Sequence, residues 1–94
     1  MMILSVSGMQ AGECLYAKTP TAEYWMILMG SMIASVYRKG TGCEVKNLGE
    51  RKLSNQITQG DVFQMFDKNN DPVSVIQVIE CKKVKSDTIP FERR

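Results

Sequence analysis

Residues 19–40 read TPTAEYWMILMGSMIASVYRKG, and both ends of this stretch carry helix punctuation. Thr19 stands where an N-cap belongs, Pro20 where the first helical residue belongs, and Glu23 near the positive end of the dipole. At the other end Arg38 and Lys39 complement the negative end, and Gly40 supplies a left-handed cap. Between them Trp25, Leu28, Met29, Met32, Ile33 and Val36 recur at spacings of three and four and form one apolar stripe. The pattern predicts a helix from Pro20 to Lys39, about 30 Å long at 1.5 Å per residue. Its stripe is assigned to the core, with Trp25 as an anchor. Gly30, Ser31, Ala34 and Ser35 make a small-residue strip beside it.

Outward from this element the pattern turns to strands. Met2 to Ser7 favours a short strand closed by Gly8, and Glu13 to Lys18 a second. After Gly40-Thr41-Gly42 the period becomes two, with Cys43, Val45 and Asn47 on one side and Glu44 and Lys46 on the other, as in an exposed or edge strand. Gly49 to Lys52 is a polar turn, and Leu53 to Gln59 fits either strand or loop. From Gly60-Asp61 the β pattern is clear: Val62 to Phe66, a polar loop from Asp67 to Pro72, then a β-branched run from Val73 to Val84. These two runs are expected to pair as a hairpin. The second run is expected to begin buried on both sides and to end near solvent, where Glu80, Lys82 and Lys83 appear. The expected class is α+β: a small, mostly antiparallel curved sheet packed against one long helix. Ninety-four residues make one domain. It divides into strands over 1–18, the helix over 19–39 and a β region over 43–89.

Composition narrows the chemistry. The net charge is +2, and the basic excess gathers at the end, where Lys82, Lys83, Lys85, Arg93 and Arg94 face only Asp87 and Glu92. Such a bias permits contact with phosphates without demanding it. Histidine is absent, which removes Ser-His-Asp and Cys-His catalysis within the chain. Cys14, Cys43 and Cys81 are widely spaced and odd in number, so buried free thiols are expected rather than disulfides or a zinc site. The loop Asp67-x-Asn69-x-Asp71 copies the first ligand positions of an EF-hand, but Pro72 replaces the required glycine and Val78 the bidentate glutamate. No metal and no cofactor are expected. The uncharged stretch from Tyr24 to Tyr37 is shorter than the roughly twenty residues that span a bilayer, and no basic n-region precedes the first apolar residues. A cytoplasmic protein without membrane contact is the expectation.

Two separated features, Tyr37-Arg38-Lys39-Gly40-Thr41-Gly42-Cys43 and Gly60-Asp61-Val62-Phe63 through Val84, resemble ASCH domains, a family of PUA-like β-barrels. In that family a helix ends in a G-K-K-T-like turn, and a G-D turn later opens a strand-loop-strand unit whose loop holds Asp and Pro. Lys39 matches the turn lysine, Cys43 a residue often small or cysteine, Gly60-Asp61 the G-D turn, and Asp67 and Pro72 the loop. The resemblance covers about Tyr37 to Ile89. It departs from the family at the residue three after Lys39, which is Gly42, and in ending before the closing helix and strands.

The resemblance implies a barrel with a nucleic-acid-binding cleft beside the turn lysine. The expected partner is RNA or another nucleic acid, with Arg38, Lys39 and Thr41 at the cleft and Lys82, Lys83 and Lys85 extending the track. Two alternatives stand beside it: an amide or nucleoside hydrolase with a degenerate site at Lys39, Thr41 and Glu80, and a self-associating accessory protein. The missing closing strands would leave an uncovered sheet edge. A homodimer is therefore expected, through the helix Pro20 to Lys39 or the edge near Cys43 to Lys46.

Overall fold

The computed structural model describes residues 3–30 and 32–90. Met2, Ser31, Glu92, Arg93 and Arg94, which entered the expectations above, lie outside them. Nine strands form among the described residues: β1 (Ile3–Ser5), β2 (Cys14–Lys18), β3 (Ala22–Gly30), β4 (Ile33–Gly40), β5 (Val45–Leu53), β6 (Gln56–Thr58), β7 (Val62–Phe66), β8 (Pro72–Gln77) and β9 (Glu80–Val84). A single 3-10 turn, Ser86–Thr88, follows.

The expected helix is not there, which overturns the α+β assignment. Residues 22–40 are instead the antiparallel hairpin β3–β4, with Leu28 opposite Ala34 and Trp25 opposite Tyr37. The helix stripe is split by the period of two. Tyr24, Met26, Leu28, Ala34 and Val36 enter the main core, while Trp25 joins a separate cluster on the other face. Met29 is the unpaired residue of a bulge and is 53% exposed. The turn signals served a different structure. Thr19 Oγ1 accepts the N–H groups of Thr21 and Ala22 at 3.2 and 2.9 Å, making a hydroxyl-capped turn into β3. Gly30 takes φ +116° in the hairpin turn, and Gly40 is a buried strand residue with no positive φ. Without the helix, that half of the expected dimer interface is gone.

Seven strands make one antiparallel sheet in the order β8-β7-β5-β4-β3-β2-β9, and β1 pairs with β6 in a two-stranded sheet. β8 and β9 stand at opposite ends of the order, yet only Val78 and Ile79 separate them in the chain. The sheet must therefore curl until its two ends approach each other at that corner, giving a half-barrel. The meeting point is a bend: Val78 exchanges backbone bonds with Gly60 and Asp61 beside β7, while Ile79 N–H reaches the Lys18 carbonyl at the end of β2. Fully buried Val6, Ile57, Phe63, Met65 and Val78 fill the concave side, Val6 and Ile57 arriving with β1 and β6.

The β7–β8 hairpin forms as expected, its loop closed by Asp67 Oδ1, which accepts the N–H groups of Asn69 and Asp71 at 2.8 and 3.0 Å. The run from Val73 does not continue to Val84 as one strand but breaks at Val78 and Ile79 into β8 and β9, and it does not begin buried on both sides, because only one face of β8 meets the core. Ile76 is buried, whereas Val75 is 60% exposed. The polar turn expected at 49–52 is also absent. Gly49 absorbs a bulge at φ +83°, and β5 runs on through Glu50, Arg51 and Lys52 against β4. No helix among the described residues is long and apolar enough to cross a membrane.

Candidate functional site

Strand alternation decides where each expected cation goes. Arg38 and Lys39 are neighbours in sequence and so lie on opposite faces of β4. Arg38 is on the concave face opposite Tyr24, where its Nε donates to the Tyr24 hydroxyl at 3.1 Å and its guanidinium stands 5.9 Å from the ring centre. Lys39 is on the convex face opposite Glu23. It shares a shallow cleft of about 210 Å³ with Lys18, Glu23 and Thr41. Thr41 is held there by its N–H, which donates to the Thr21 carbonyl at 3.3 Å.

On the convex face carboxylates stand among the lysines. The register places Glu80, Lys18, Glu23 and Lys39 in one row across β9, β2, β3 and β4, alternating in sign. Opposite charges facing across strands stabilise a sheet by a few tenths of a kcal/mol, about 0.2–1 per pair. Lys39 and Glu80 thus stand three strand spacings apart, about 14 Å, with Lys18 and Glu23 between them. The next row runs Lys82, Tyr16, Trp25, Tyr37. Lys82 lies 5.5 Å from the Tyr16 ring centre and 3.4 Å from the Glu80 carboxylate. Lys83 alternates to the other face and pairs with Glu13 at 3.6 Å, and Lys85 is exposed before the 3-10 turn. These lysines do not line up with Arg38 as one track.

The concave face is different. Arg38 is directly opposite Lys46 on β5, and among the described residues neither makes an ion pair. Like charges facing across a strand pair are destabilising. β5 joins β7 only at Lys52 and Leu53, so residues 45–50 have β4 on one side and no strand on the other among the described residues. Tyr24, Arg38 and Lys46 therefore form a row leading out to an open edge. Sequence reasoning missed Lys46 and Glu23 because cross-strand partners are invisible without the register. The Gly30-Ser31 pair between two apolar runs was the available signal, since such dipeptides mark two-residue hairpins.

The cysteines separate by burial. Desolvation raises the thiols of Cys14 and Cys81 above their ordinary range, which makes them poor nucleophiles. Cys43, expected to be buried, is exposed in the turn between β4 and β5.

Comparison of the chain with models of protein families, with curated proteins and with solved structures gave no match. Of the features that resemble ASCH domains, the Gly60-Asp61 turn does open the strand-loop-strand unit β7–β8, but Lys39 lies within strand β4, where the resemblance implied the end of a helix.

Proposed function

We propose that this domain binds nucleic acid, RNA in the first instance, on the concave side of the β4–β5 overhang. The observation that carries the reading is the like-charge pair Arg38–Lys46, which no carboxylate among the described residues offsets. A polyanion lying along the open edge would neutralise both cations, with Tyr24 beside them to meet a base or ribose. Lys39, Lys18 and Lys82 contribute less, because Glu23 and Glu80 stand among them.

Fluorescence anisotropy with labelled single-stranded RNA tests this. Arg38→Glu and Lys46→Glu each weaken binding at least about ten-fold, while Lys39→Glu and Lys82→Glu have little effect. With two or three phosphates neutralised, affinity falls by about ten-fold over a four-fold rise in salt. Equal effects of all four substitutions, or no binding at low salt, overturn the reading.

Self-association is a second reading, supported by one observation. Val62 and Val75, each 60% exposed, sit diagonally on the outer face of β7–β8, and β8 is the last strand of its sheet. A second copy covering that hairpin gives a dimer by light scattering that Val75→Lys dissociates. A monomer at every concentration removes it.

A further inference from the structure

The bulge in β5 has a chemical use. Tyr37 pairs with Asn47 and Val36 with Gly49, so Leu48 is left over, and Asn47 Oδ1 holds the Gly49 N–H at 2.8 Å. Beyond the bulge Arg51 pairs with buried Ala34, which places it on the concave face. Its guanidinium doubles back along the strand. Nη1 donates to the Glu50 carbonyl at 3.1 Å and lies 3.9 Å from where a Cβ on Gly49 would stand. The charge is thereby carried one row toward Arg38 and Lys46.

Arg51 is poorly satisfied in this position. Its Nε is buried and has no hydrogen-bond partner among the described residues, an expensive state for the N–H of a cation. Arg51, Lys52 and Lys68 line a cleft of about 350 Å³ between β5 and the β7–β8 loop. Two carboxylates also line it. Asp67 already accepts two loop N–H groups, and Glu50, opposite Ser35, shares the convex face with Lys52, opposite Ile33, so three cations stand in the cleft against two carboxylates. Among the described residues Lys52 Nζ reaches only the neutral Asn70 side chain, at 3.2 Å.

We propose that this cleft binds a phosphate monoester, with Arg51 as its anchor. On binding, the guanidinium turns from the Glu50 carbonyl and gives Nε–H and one Nη–H to two phosphate oxygens, the fork that arginine makes and lysine cannot. Lys52 and Lys68 neutralise the rest of the charge. A monoester, close to a dianion at neutral pH, suits three cations better than the single charge of an internal phosphodiester. Two sources share this chemistry: a free phosphate ester, and the phosphorylated end of a strand lying along Arg38 and Lys46. The second rests on the nucleic-acid reading above; the first does not.

The test follows the arginine Nε–Hε resonances of the full chain by NMR during titration with inorganic phosphate and then phenyl phosphate. The Arg51 resonance shifts saturably and further than those of the other arginines. Arg51→Lys, which keeps the charge and removes the fork, weakens binding at least ten-fold with its thermal melt unchanged. An Arg51 resonance that does not move overturns the proposal, as does full affinity in Arg51→Lys. The second arm compares single-stranded RNA with and without a terminal phosphate. Ten-fold tighter binding of the phosphorylated strand, lost in Arg51→Lys, supports the strand end. Equal binding of the two strands, with the phosphate response intact, supports the free ester. If RNA does not bind but phosphate still moves Arg51, the nucleic-acid reading falls and this site stands.

Discussion

The phenol of Tyr16 donates a 2.6 Å hydrogen bond to Oε2 of Glu23, diagonally across β2–β3. Burial first, and the Glu23 carboxylate second, hold the phenol well above its ordinary value. Ionisation would set a phenolate against a carboxylate in a place shielded from water. Because the folded pKa is raised above the unfolded one, the stabilisation is complete below about pH 10, the unfolded value, and is lost as pH rises beyond it. Urea melts are expected to show stability declining above about pH 10. Tyr16→Phe removes that contribution to the decline and costs about 1 kcal/mol at neutral pH. An identical pH profile in the variant would show that another group sets it.

Trp25, the only tryptophan, reports on how the convex face is covered. It is buried with Cys14, Tyr16 and Ile89, and Ile89 arrives from a segment whose described backbone bonds, Thr88 to Lys85 and Ile89 to Ser86, are internal. Apolar packing through Ile89 thus joins this segment to the sheet. Trp25→Ala costs about 3–5 kcal/mol and Ile89→Ala about 2. Ile89→Ala also moves the tryptophan emission to the red. Emission that stays put would place the cover elsewhere.

Closure of the half-barrel depends on the bend at Val78 and Ile79. The Ile79 side chain is largely outside the core, so Ile79→Pro tests mainly its backbone bond to the Lys18 carbonyl at 2.8 Å. The loss is about 2 kcal/mol or more, from the missing donor and the unpaired carbonyl. Hydrogen exchange in the native protein finds the Val78 and Ile79 amides among the slow ones. Rapid exchange at both would mean that the sheet ends do not stay joined.

Thiol titration separates the cysteines. One thiol per chain reacts quickly with a disulfide reagent, and Cys43→Ser abolishes that phase. Cys14 and Cys81 react only as the protein unfolds, since burial both shields them and raises their pKa. Three fast thiols would contradict the packing of β2 and β9.

The β7–β8 hairpin was legible in the sequence because its signals are local: β-branched and aromatic residues, a glycine before them, and an Asp-Asn-Asp-Pro loop between; the break of the Val73 to Val84 run into β8 and β9 was not. β2 was legible too. Residues 19–40 were not. Nearly every side chain from Tyr24 to Val36 is apolar or small, so periods of 3.6 and 2 fit equally well. Thr19-Pro20 caps a turn as readily as a helix. A run apolar on both faces becomes two strands here because there are two cores to fill, the main one on the concave side and the Trp25 cluster on the convex side.

By itself the sequence determined that histidine is absent, that residues 62–77 turn back on themselves and which cationic residues are available, while the α+β class it suggested is not the one formed. The tertiary structure alone decided what those cations do. Adjacent residues in a strand face opposite ways, so Arg38 and Lys39 part company. Register then places Lys39 opposite Glu23 and Arg38 opposite Lys46. Pairing partners are many residues apart in the chain, and no local pattern names them. The bulge at Leu48 likewise exists only once β5 is laid against β4.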